Sequence, residues 1–196
     1  MVLDSNGRPR SVPPEERLNV FALVIYIPDP LGAFLDNLRR ELVPHYNPHA
    51  HVSVLPPRPL SVDWQTASKQ VQALAENWPP FDVEATEVAI FPTTEVIYIE
   101  VGAGAPELRG MHSAMNRDAL ASCEPYPYHP HITLAQGIQT SDVPAAYELA
   151  VRRWKEFRGQ RRFRADRAFF VQNTVHDVWI DLASYPLGSL AIRSPR

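Results

Sequence analysis

The sequence predicts an α+β fold built from two similar lobes, and three observations predict it. Strand-like and helix-like segments follow one another in the order β, α, β, α, β, β, and a similar order recurs in the second half. The tetrapeptide V-I-Y-I occurs at 24–27 and again at 96–99. The pattern H-x-H-x-S/T occurs at 49–53 and again at 129–133. Such a repeat indicates two lobes of like design, whose equivalent strands would meet across a shared cleft.

Hydrophobic periodicity and proline define the elements of the first half. Residues 20–27 are β-branched and aromatic and predict a buried strand, after which Asp29 is a candidate N-cap for a helix over 31–43. Polar and apolar residues alternate over 49–55, which predicts a strand with one wet face that ends at Pro56-Pro57. The remaining predicted elements are a helix at 62–77 and strands at 81–90 and 95–101.

The second half repeats this order. The helix at 142–157 has the clearest apolar stripe, with Asp142 as its predicted cap. From His51 to Tyr98 is 47 residues and from His131 to Trp179 is 48, so the two aromatic residues are predicted to be equivalent. The other predicted elements are a helix at 106–121 and strands at 129–135, 162–171 and 175–182.

Composition excludes several classes of protein. The chain has 196 residues, 45% of them apolar, with no apolar run near the ~20 residues that a membrane span requires, so no membrane association is expected. The one cysteine, Cys123, predicts no intrachain disulfide and is expected to be buried. The N-terminus lacks the basic-then-apolar order of a secretion signal, and we expect a cytoplasmic protein.

The same features predict the domain organisation. A flexible lead-in is expected at 1–18, and a C-terminal tail at 186–196. Between them, 19–185 forms one domain with lobes at about 19–92 and 93–185, which are free to exchange strands. Nothing in the sequence indicates an obligate protein partner.

The paired motifs carry acid–base chemistry. Side chains two apart on a strand share a face and lie about 6.6 Å apart, so His51 is a neighbour of Ser53 and His131 of Thr133. Histidine titrates near neutrality, and cleavage of a phosphodiester needs one acid and one base. The two hydroxyls could hold the non-bridging phosphate oxygens. This set predicts catalysis by His51 and His131 without a metal or another cofactor.

The motifs His51-Val-Ser53-Val54 and His131-Ile-Thr133-Leu134 resemble the two H-x-[S/T]-x motifs of the 2H phosphoesterase superfamily. The resemblance is in particular to its branch of 2′-5′ RNA ligase-like proteins and RNA 2′,3′-cyclic phosphodiesterases. The first motif departs from the family pattern by using Ser for Thr and by running into L-P-P-R-P, which leaves open what substrate the first lobe shapes.

The resemblance implies the LigT-like fold, with two antiparallel sheets facing a central groove. It also implies an RNA-processing activity, the hydrolysis of 2′,3′-cyclic phosphate ends of RNA or of small cyclic nucleotides, with reversible 2′-5′ ligation in some relatives. By analogy, His51 protonates the leaving ribose oxygen and His131 activates water.

Five residues near the motifs are candidate substrate-binding residues. His49 and His129 either share the strand face of the catalytic histidines or lie in the approaching loops. Tyr126 and Tyr128 either stack on a base or pack against the protein. Arg58, just after the first motif, is predicted to reach a phosphate.

A basic segment and three further histidines are less specific. Residues 152–167 carry eight cations and two acids, a charge of +6 against −9 elsewhere, which indicates either contact with an RNA strand or a solvated surface. The histidines outside the repeat are expected at the surface or at element boundaries. They are His45, His112 and His176.

Two other functions remain open. The pairs His49/His51 and His129/His131 provide four imidazoles that could bind a transition metal, which would indicate a metal-dependent hydrolase. Alternatively, the chain is a non-catalytic module that binds nucleotide or RNA in the same groove.

Overall fold

The computed structural model describes residues 12–43 and 49–188. The predicted strands and helices are present, with changes at several ends. In chain order, the elements are β1 (Arg17–Tyr26), α1 (Leu31–Leu42), β2 (His51–Arg58), α2 (Trp64–Asn77), β3 (Phe81–Ile90), β4 (Ile97–Val101), α3 (Ala105–Met115), β5 (His131–Ala135), α4 (Val143–Glu156), β6 (Arg162–Ala165), β7 (Arg167–Thr174) and β8 (Trp179–Pro186).

The strands form two antiparallel four-stranded sheets, which confirms the predicted α+β class. Sheet 1 has the order β2-β1-β7-β8, and sheet 2 has the order β5-β4-β3-β6. In each sheet the motif strand, β2 or β5, is an edge strand paired with the strand that carries V-I-Y-I. These two edges lie against each other, so the sheets meet at the two motifs.

Each sheet takes strands from both halves of the chain. The strand predicted at 162–171 is two strands, because the chain leaves sheet 2 at Asp166: β6 pairs with β3, whereas β7 pairs with β1. Strands are therefore exchanged between the halves, and the segments 19–92 and 93–185 each contribute to both sheets. Trp179 begins β8 at the outer edge of sheet 1, so it is not equivalent to Tyr98, which lies on β4 beside the motif strand.

The last predicted strand, at 175–182, lies four residues later, at Trp179–Pro186. Two other predicted ends were wrong for reasons that the fold explains. β2 continues through Pro56 and Pro57 to Arg58. Proline is tolerated there because β2 is an edge strand, and the register shift between Leu23 and Phe21 of β1 takes up the irregularity. α3 ends at Met115 rather than at 121, and Asn116 then holds the following turn by bonding through its side chain to the backbone of Ser122.

The predicted caps and termini also differ in detail. The Asp29 carboxylate accepts a hydrogen bond from the Ala33 amide (2.9 Å), as a cap would, although Pro30 occupies the N-cap position. Asp142 occupies the N-cap of α4 but makes no capping bond. β1 already begins at Arg17, within the predicted lead-in, and residues 1–11 and 189–196 lie outside the described part of the chain.

One continuous apolar core joins both sheets to the helices. Val52 and Val54 of β2 and Ile132 and Leu134 of β5 are each at most 1% exposed, whereas the intervening motif residues are partly exposed. The predicted one-sided strands are thus confirmed, with the motif side chains on the face away from the core. Cys123, predicted to be buried, is exposed in the segment before β5. None of the helices in the described ranges is long and apolar enough to cross a membrane.

Candidate active site

Both histidines are held in the same way. Nδ1 of His51 donates to the carbonyl of His49 (2.8 Å), and Nδ1 of His131 donates to the carbonyl of His129 (2.7 Å). A carbonyl can only accept, so each Nδ1 carries a proton, and Nε2 of each ring is left for exchange with a ligand. In both motifs, the residue two before the catalytic candidate thus orients that histidine through its backbone carbonyl.

The surroundings of the two rings lower the pKa of each. The pKa of His51 is lowered to about 4, mainly by burial. The nearby charges of Arg39, His131 and His49 act in the same direction, and its bond to the His49 carbonyl opposes them. Burial also lowers the pKa of His131, and the charge of His129 acts in the same direction. The bond to the His129 carbonyl and, to a smaller extent, the carboxylate of Glu100 oppose this effect.

His49 and His129 do not continue the motif strands, which begin at His51 and His131. His49 has a left-handed backbone (φ 65°), is exposed, and contacts the edge of the Tyr26 ring. Nε2 of His129 donates a hydrogen bond to the Glu100 carboxylate (2.9 Å). Both residues thus lie in the approaching loops, and their carbonyls rather than their rings face the motif histidines.

Arg58 is a structural residue, and the prediction that it reaches a phosphate was wrong. It is 3% exposed, and its guanidinium pairs with Glu124 at 2.5 Å. It also donates to the Asn116 side chain (2.7 Å) and to the Leu120 carbonyl (2.9 Å). These bonds fix the segment between α3 and β5 onto the end of β2.

The same network includes Tyr128 and His112. The Tyr128 hydroxyl donates to the Ser53 carbonyl (2.7 Å), and its ring stacks on His112 with centroids 4.0 Å apart. His112, expected at the surface, is buried and bonds to the Val54 carbonyl at 2.9 Å. Burial, followed by the Glu124 carboxylate, raises the pKa of Tyr128. Tyr128 therefore ties the approach to the second motif to the backbone of the first, and Tyr126 nearby is 55% exposed.

The basic segment is largely paired within the protein. Arg162 and Arg164 of β6 contact Glu84 and Asp82 of β3, their neighbours across the sheet. Other cations of the segment bind elsewhere in the fold: Arg153 contacts Glu41 and Glu156, Arg161 lies over the Trp154 ring, and Arg167 bonds to Ser184. Arg152, Lys155 and Arg158 instead line a shallow depression on the outer face of α4.

Sequence reasoning missed the residues that surround the histidines. Beside His131, the rings of Phe91 and Tyr98 contact it edge-on at 5.1 and 5.4 Å, and Glu100 is its partner across the strands. Beside His51, Tyr26 is the cross-strand partner, and its hydroxyl donates to Asp181 at 2.6 Å. The alternation of side chains along β1 and β4 places Tyr26, Tyr98 and Glu100 on the same face as the motif histidines. It does not reveal which residues of the neighbouring strands lie opposite the histidines.

The exposed face of sheet 1 continues from Ser53 as a small apolar surface. Val24 and Val171 are buried there, with Phe169 and Trp179 packed against them. The Tyr26 and Phe169 rings lie 4.6 Å apart. This apolar surface adjoins the polar motif residues, an arrangement typical of sites that bind an aromatic ring next to a charged group.

The described residues contain no group of three or more His, Cys, Asp or Glu side chains placed to hold a metal ion. His129 is directed to Glu100 and His49 packs against Tyr26, so the four imidazoles of the H-x-H pairs do not form one metal site in this geometry.

Solved structures share the fold. The chain superposes on Escherichia coli LigT complexed with 3′-AMP with a TM-score of 0.61 and 13% identity, covering 88% of this chain and 98% of that one. For TT0787 of Thermus thermophilus the TM-score is 0.56 and the identity 16%, over 86% and 98% of the two chains. At these identities the likeness concerns the fold alone.

Sequence comparison supplies the family. A curated protein of Oceanobacillus iheyensis, named "Putative phosphoesterase OB1230", is 28% identical over 111 residues, which is 52% of this chain. The match spans 61% of that protein's length. The model of the 2′-5′ RNA ligase superfamily matches residues 27–177, a range that includes both histidine motifs. This protein therefore belongs to the 2′-5′ RNA ligase superfamily, within the 2H phosphoesterases that its two motifs resemble.

Proposed function

We propose that this protein is a metal-independent cyclic phosphodiesterase that opens 2′,3′-cyclic phosphate ends of RNA or nucleotides. The observation that carries the proposal is the matched pair of imidazoles on adjoining edge strands, each with Nδ1 tied to a carbonyl and with no hydrogen bond from Nε2 to another described residue. Two such nitrogens supply one proton acceptor and one proton donor.

The reaction uses the motif residues as a set. One imidazole takes a proton from water as the water oxygen attacks phosphorus. The bond from phosphorus to one ribose oxygen breaks, and the other imidazole, which enters the reaction protonated on both nitrogens, gives that oxygen its Nε2 proton. Ser53 and Thr133, partly exposed on the same faces as the histidines, would donate hydrogen bonds to the non-bridging oxygens, where negative charge accumulates. Acid, base and anion stabilisation are thus supplied by side chains.

The apolar surface beside Ser53 suits the nucleoside part of such a substrate. Phe169, Trp179 and Tyr26 offer aromatic faces within the same sheet, and base stacking on such faces tolerates any base. The E. coli neighbour was solved with 3′-AMP and also with ATP, which supports nucleotide binding in this fold. The exposed Tyr126 is a further candidate for contact with a longer RNA. Ligation would follow at the same site if a 5′-hydroxyl attacked the 2′,3′-cyclic phosphate in place of water, with the same phosphorus–oxygen bond broken and the same two proton transfers.

The test is hydrolysis of the four nucleoside 2′,3′-cyclic monophosphates in EDTA by the wild type, His51→Ala and His131→Ala. We expect each substitution to lower kcat/KM at least ~100-fold, the usual effect of losing a general acid or base. His176→Ala is the matched control, since its side chain is 69% exposed on the turn between β7 and β8.

Other results would contradict the proposal in distinct ways. Turnover that EDTA abolishes would favour the metal-dependent hydrolase. Binding of a nucleoside monophosphate without turnover of any cyclic phosphate or RNA end would favour a binding module.

A further inference from the structure

The wall of the groove that sheet 2 forms is acidic. The buried residues of β3 and β4 point to the core, so the residues that alternate with them lie on the motif face of the sheet. Glu100 marks this face, because it lies opposite His131. The carboxylates on the face are Glu100 of β4 and Asp82, Glu84 and Glu87 of β3. A site that binds phosphate thus has carboxylates along one of its walls.

Two arginines on the same face add no net positive charge to it. Arg162 and Arg164 of β6 lie opposite Glu84 and Asp82 and contact them at 3.0 and 3.2 Å. A phosphate could bind either guanidinium only by competing with the carboxylate already paired with it. The charges of these two pairs cancel, so the net charge of the wall is set by its other carboxylates.

Glu87 and Glu100 are those other carboxylates. Glu100 accepts a hydrogen bond from His129 (2.9 Å), whereas no described residue forms an ion pair or hydrogen bond with the carboxylate of the exposed Glu87. Their charges act on Tyr98, which lies opposite Thr133. The pKa of Tyr98 is raised mainly by burial, and the charges of Glu100 and, to a smaller extent, Glu87 act in the same direction. Negative charge is therefore present beside the second motif.

The wall on sheet 1 has a different character. It carries the apolar surface next to the first motif, and its charged side chains have opposite signs. Arg167, which alternates with the buried Ala168, donates to the Ser184 hydroxyl (3.1 Å). Asp181 accepts the hydroxyl proton of Tyr26 (2.6 Å). This wall suits an uncharged aromatic base better than a row of phosphates.

A substrate with one phosphate fits this charge distribution, whereas a longer RNA does not. The positive charge of Arg39 acts on His51, where a single phosphate would lie between the motifs. Each further nucleotide of an RNA adds a phosphate, and grooves that bind RNA neutralise these charges with cations. Neighbouring strands are about 4.8 Å apart, so carboxylates on β3 and β4 lie about 5–10 Å from β5, within the Debye length of about 10 Å at ~0.1 M salt. They would repel a second phosphate on this side.

We propose that the substrate is a small nucleotide, a nucleoside 2′,3′-cyclic monophosphate, and that Glu87 and Glu100 select against an RNA end. This inference rests on the proposed function and narrows it to one class of substrate. The base lies on the apolar surface of sheet 1, and the cyclic phosphate lies between the two motifs. The acidic wall of sheet 2 is left without a phosphate.

The first experiment compares kcat/KM for a nucleoside 2′,3′-cyclic monophosphate with kcat/KM for a short RNA that ends in the same cyclic nucleotide, at low and at high salt. A unit charge at about 10 Å changes an affinity about twofold in water and more at a protein surface. With two carboxylates, we expect the mononucleotide to be favoured at least ~5-fold at low salt. The preference should shrink as salt screens the repulsion. A preference for the RNA that weakens as salt rises is typical of a cationic groove and would overturn the inference.

The second experiment tests the acidic wall directly through Glu87, which lies outside the catalytic set. We expect Glu87→Gln to raise kcat/KM on the RNA about 2–4-fold at low salt and to leave the mononucleotide unchanged. Glu107→Gln is the matched control, since it removes the same charge from an exposed position on α3. No gain in Glu87→Gln, or an equal gain in Glu107→Gln, would overturn the role of the wall.

The third experiment needs no turnover and separates the two proposals. Calorimetry measures binding of a nucleoside 3′-monophosphate and of a short RNA with a 3′-phosphate to the wild type at low salt. We expect the mononucleotide to bind at least ~5-fold more tightly. Tighter binding of the RNA would overturn the inference and leave cyclic phosphate hydrolysis intact. The expected binding preference without turnover of any cyclic phosphate would overturn the proposed function alone.

Discussion

Replacement of His51 by Asn should make the protein less sensitive to acid. An unfolded histidine has a pKa of about 6.5, whereas burial and neighbouring cations lower the pKa of His51 to about 4 in the fold. Above pH ~6.5 the ring is neutral in both states and contributes no pH dependence. Between these values the unfolded chain binds the proton first, so acidification favours unfolding.

The size of the effect follows from the same values. A difference of about 2.5 pH units at 1.36 kcal/mol each amounts to about 3 kcal/mol, reached near pH 4. His51→Asn retains a donor for the His49 carbonyl but cannot titrate. Urea unfolding near pH 7 and near pH 4 should therefore show the variant gaining about 3 kcal/mol relative to the wild type on acidification. His176→Asn is the control for loss of an imidazole. Parallel declines of the wild type and His51→Asn would refute the reasoning.

Three further predictions concern the network around the motifs and the basic segment. Arg58→Leu leaves the Glu124 carboxylate uncompensated in a largely buried site, and we expect urea unfolding to show a loss of about 3–5 kcal/mol, so a loss below about 1 kcal/mol would contradict the structural role. Tyr128→Phe removes the donor to the Ser53 carbonyl and should lower the free energy of unfolding by about 1–2 kcal/mol in the same assay. An unchanged free energy of unfolding would show that water replaces this bond. Arg164→Gln breaks an exposed pair and should change stability by less than about 1 kcal/mol, and a salt-sensitive loss of RNA affinity in this variant would show that the segment contacts RNA after all.

The elements of this fold could be predicted because their signals are local. Alternation marks β2 and β5 as strands with one buried face, and the apolar stripe of α4 gives its position within two residues at each end. The two catalytic candidates could be identified for the same reason, since H-x-S/T is a short motif on a strand. The features that could not be predicted depend on which strands pair with each other.

Strand pairing explains the errors. Pro56 and Pro57 end a strand only if their missing amides are needed, and at the edge of sheet 1 they are not. The segment at 162–171, predicted as one strand, gave no indication that Asp166 passes the chain from one sheet to the other. Arg58 was predicted to bind a phosphate because it follows the first motif directly. Its actual partners, Glu124 and Asn116, lie about 60 residues later in the chain, so the sequence did not indicate them.

The asymmetry of the site comes from a two-residue difference in register between otherwise repeated strands. In both sheets V-I-Y-I pairs with the motif strand, but its tyrosine lies opposite the histidine in sheet 1 (Tyr26) and opposite the hydroxyl residue in sheet 2 (Tyr98). A shift of two keeps every side chain on its face, so the repeat in letters and the buried core are both preserved. As a result, the residue two after the tyrosine of β4, Glu100, lies opposite His131. The residue two after the tyrosine of β1 is Pro28, which lies beyond the end of that strand. Two copies of one motif thereby face different groups across the strands, the phenol of Tyr26 at His51 and the carboxylate of Glu100 at His131.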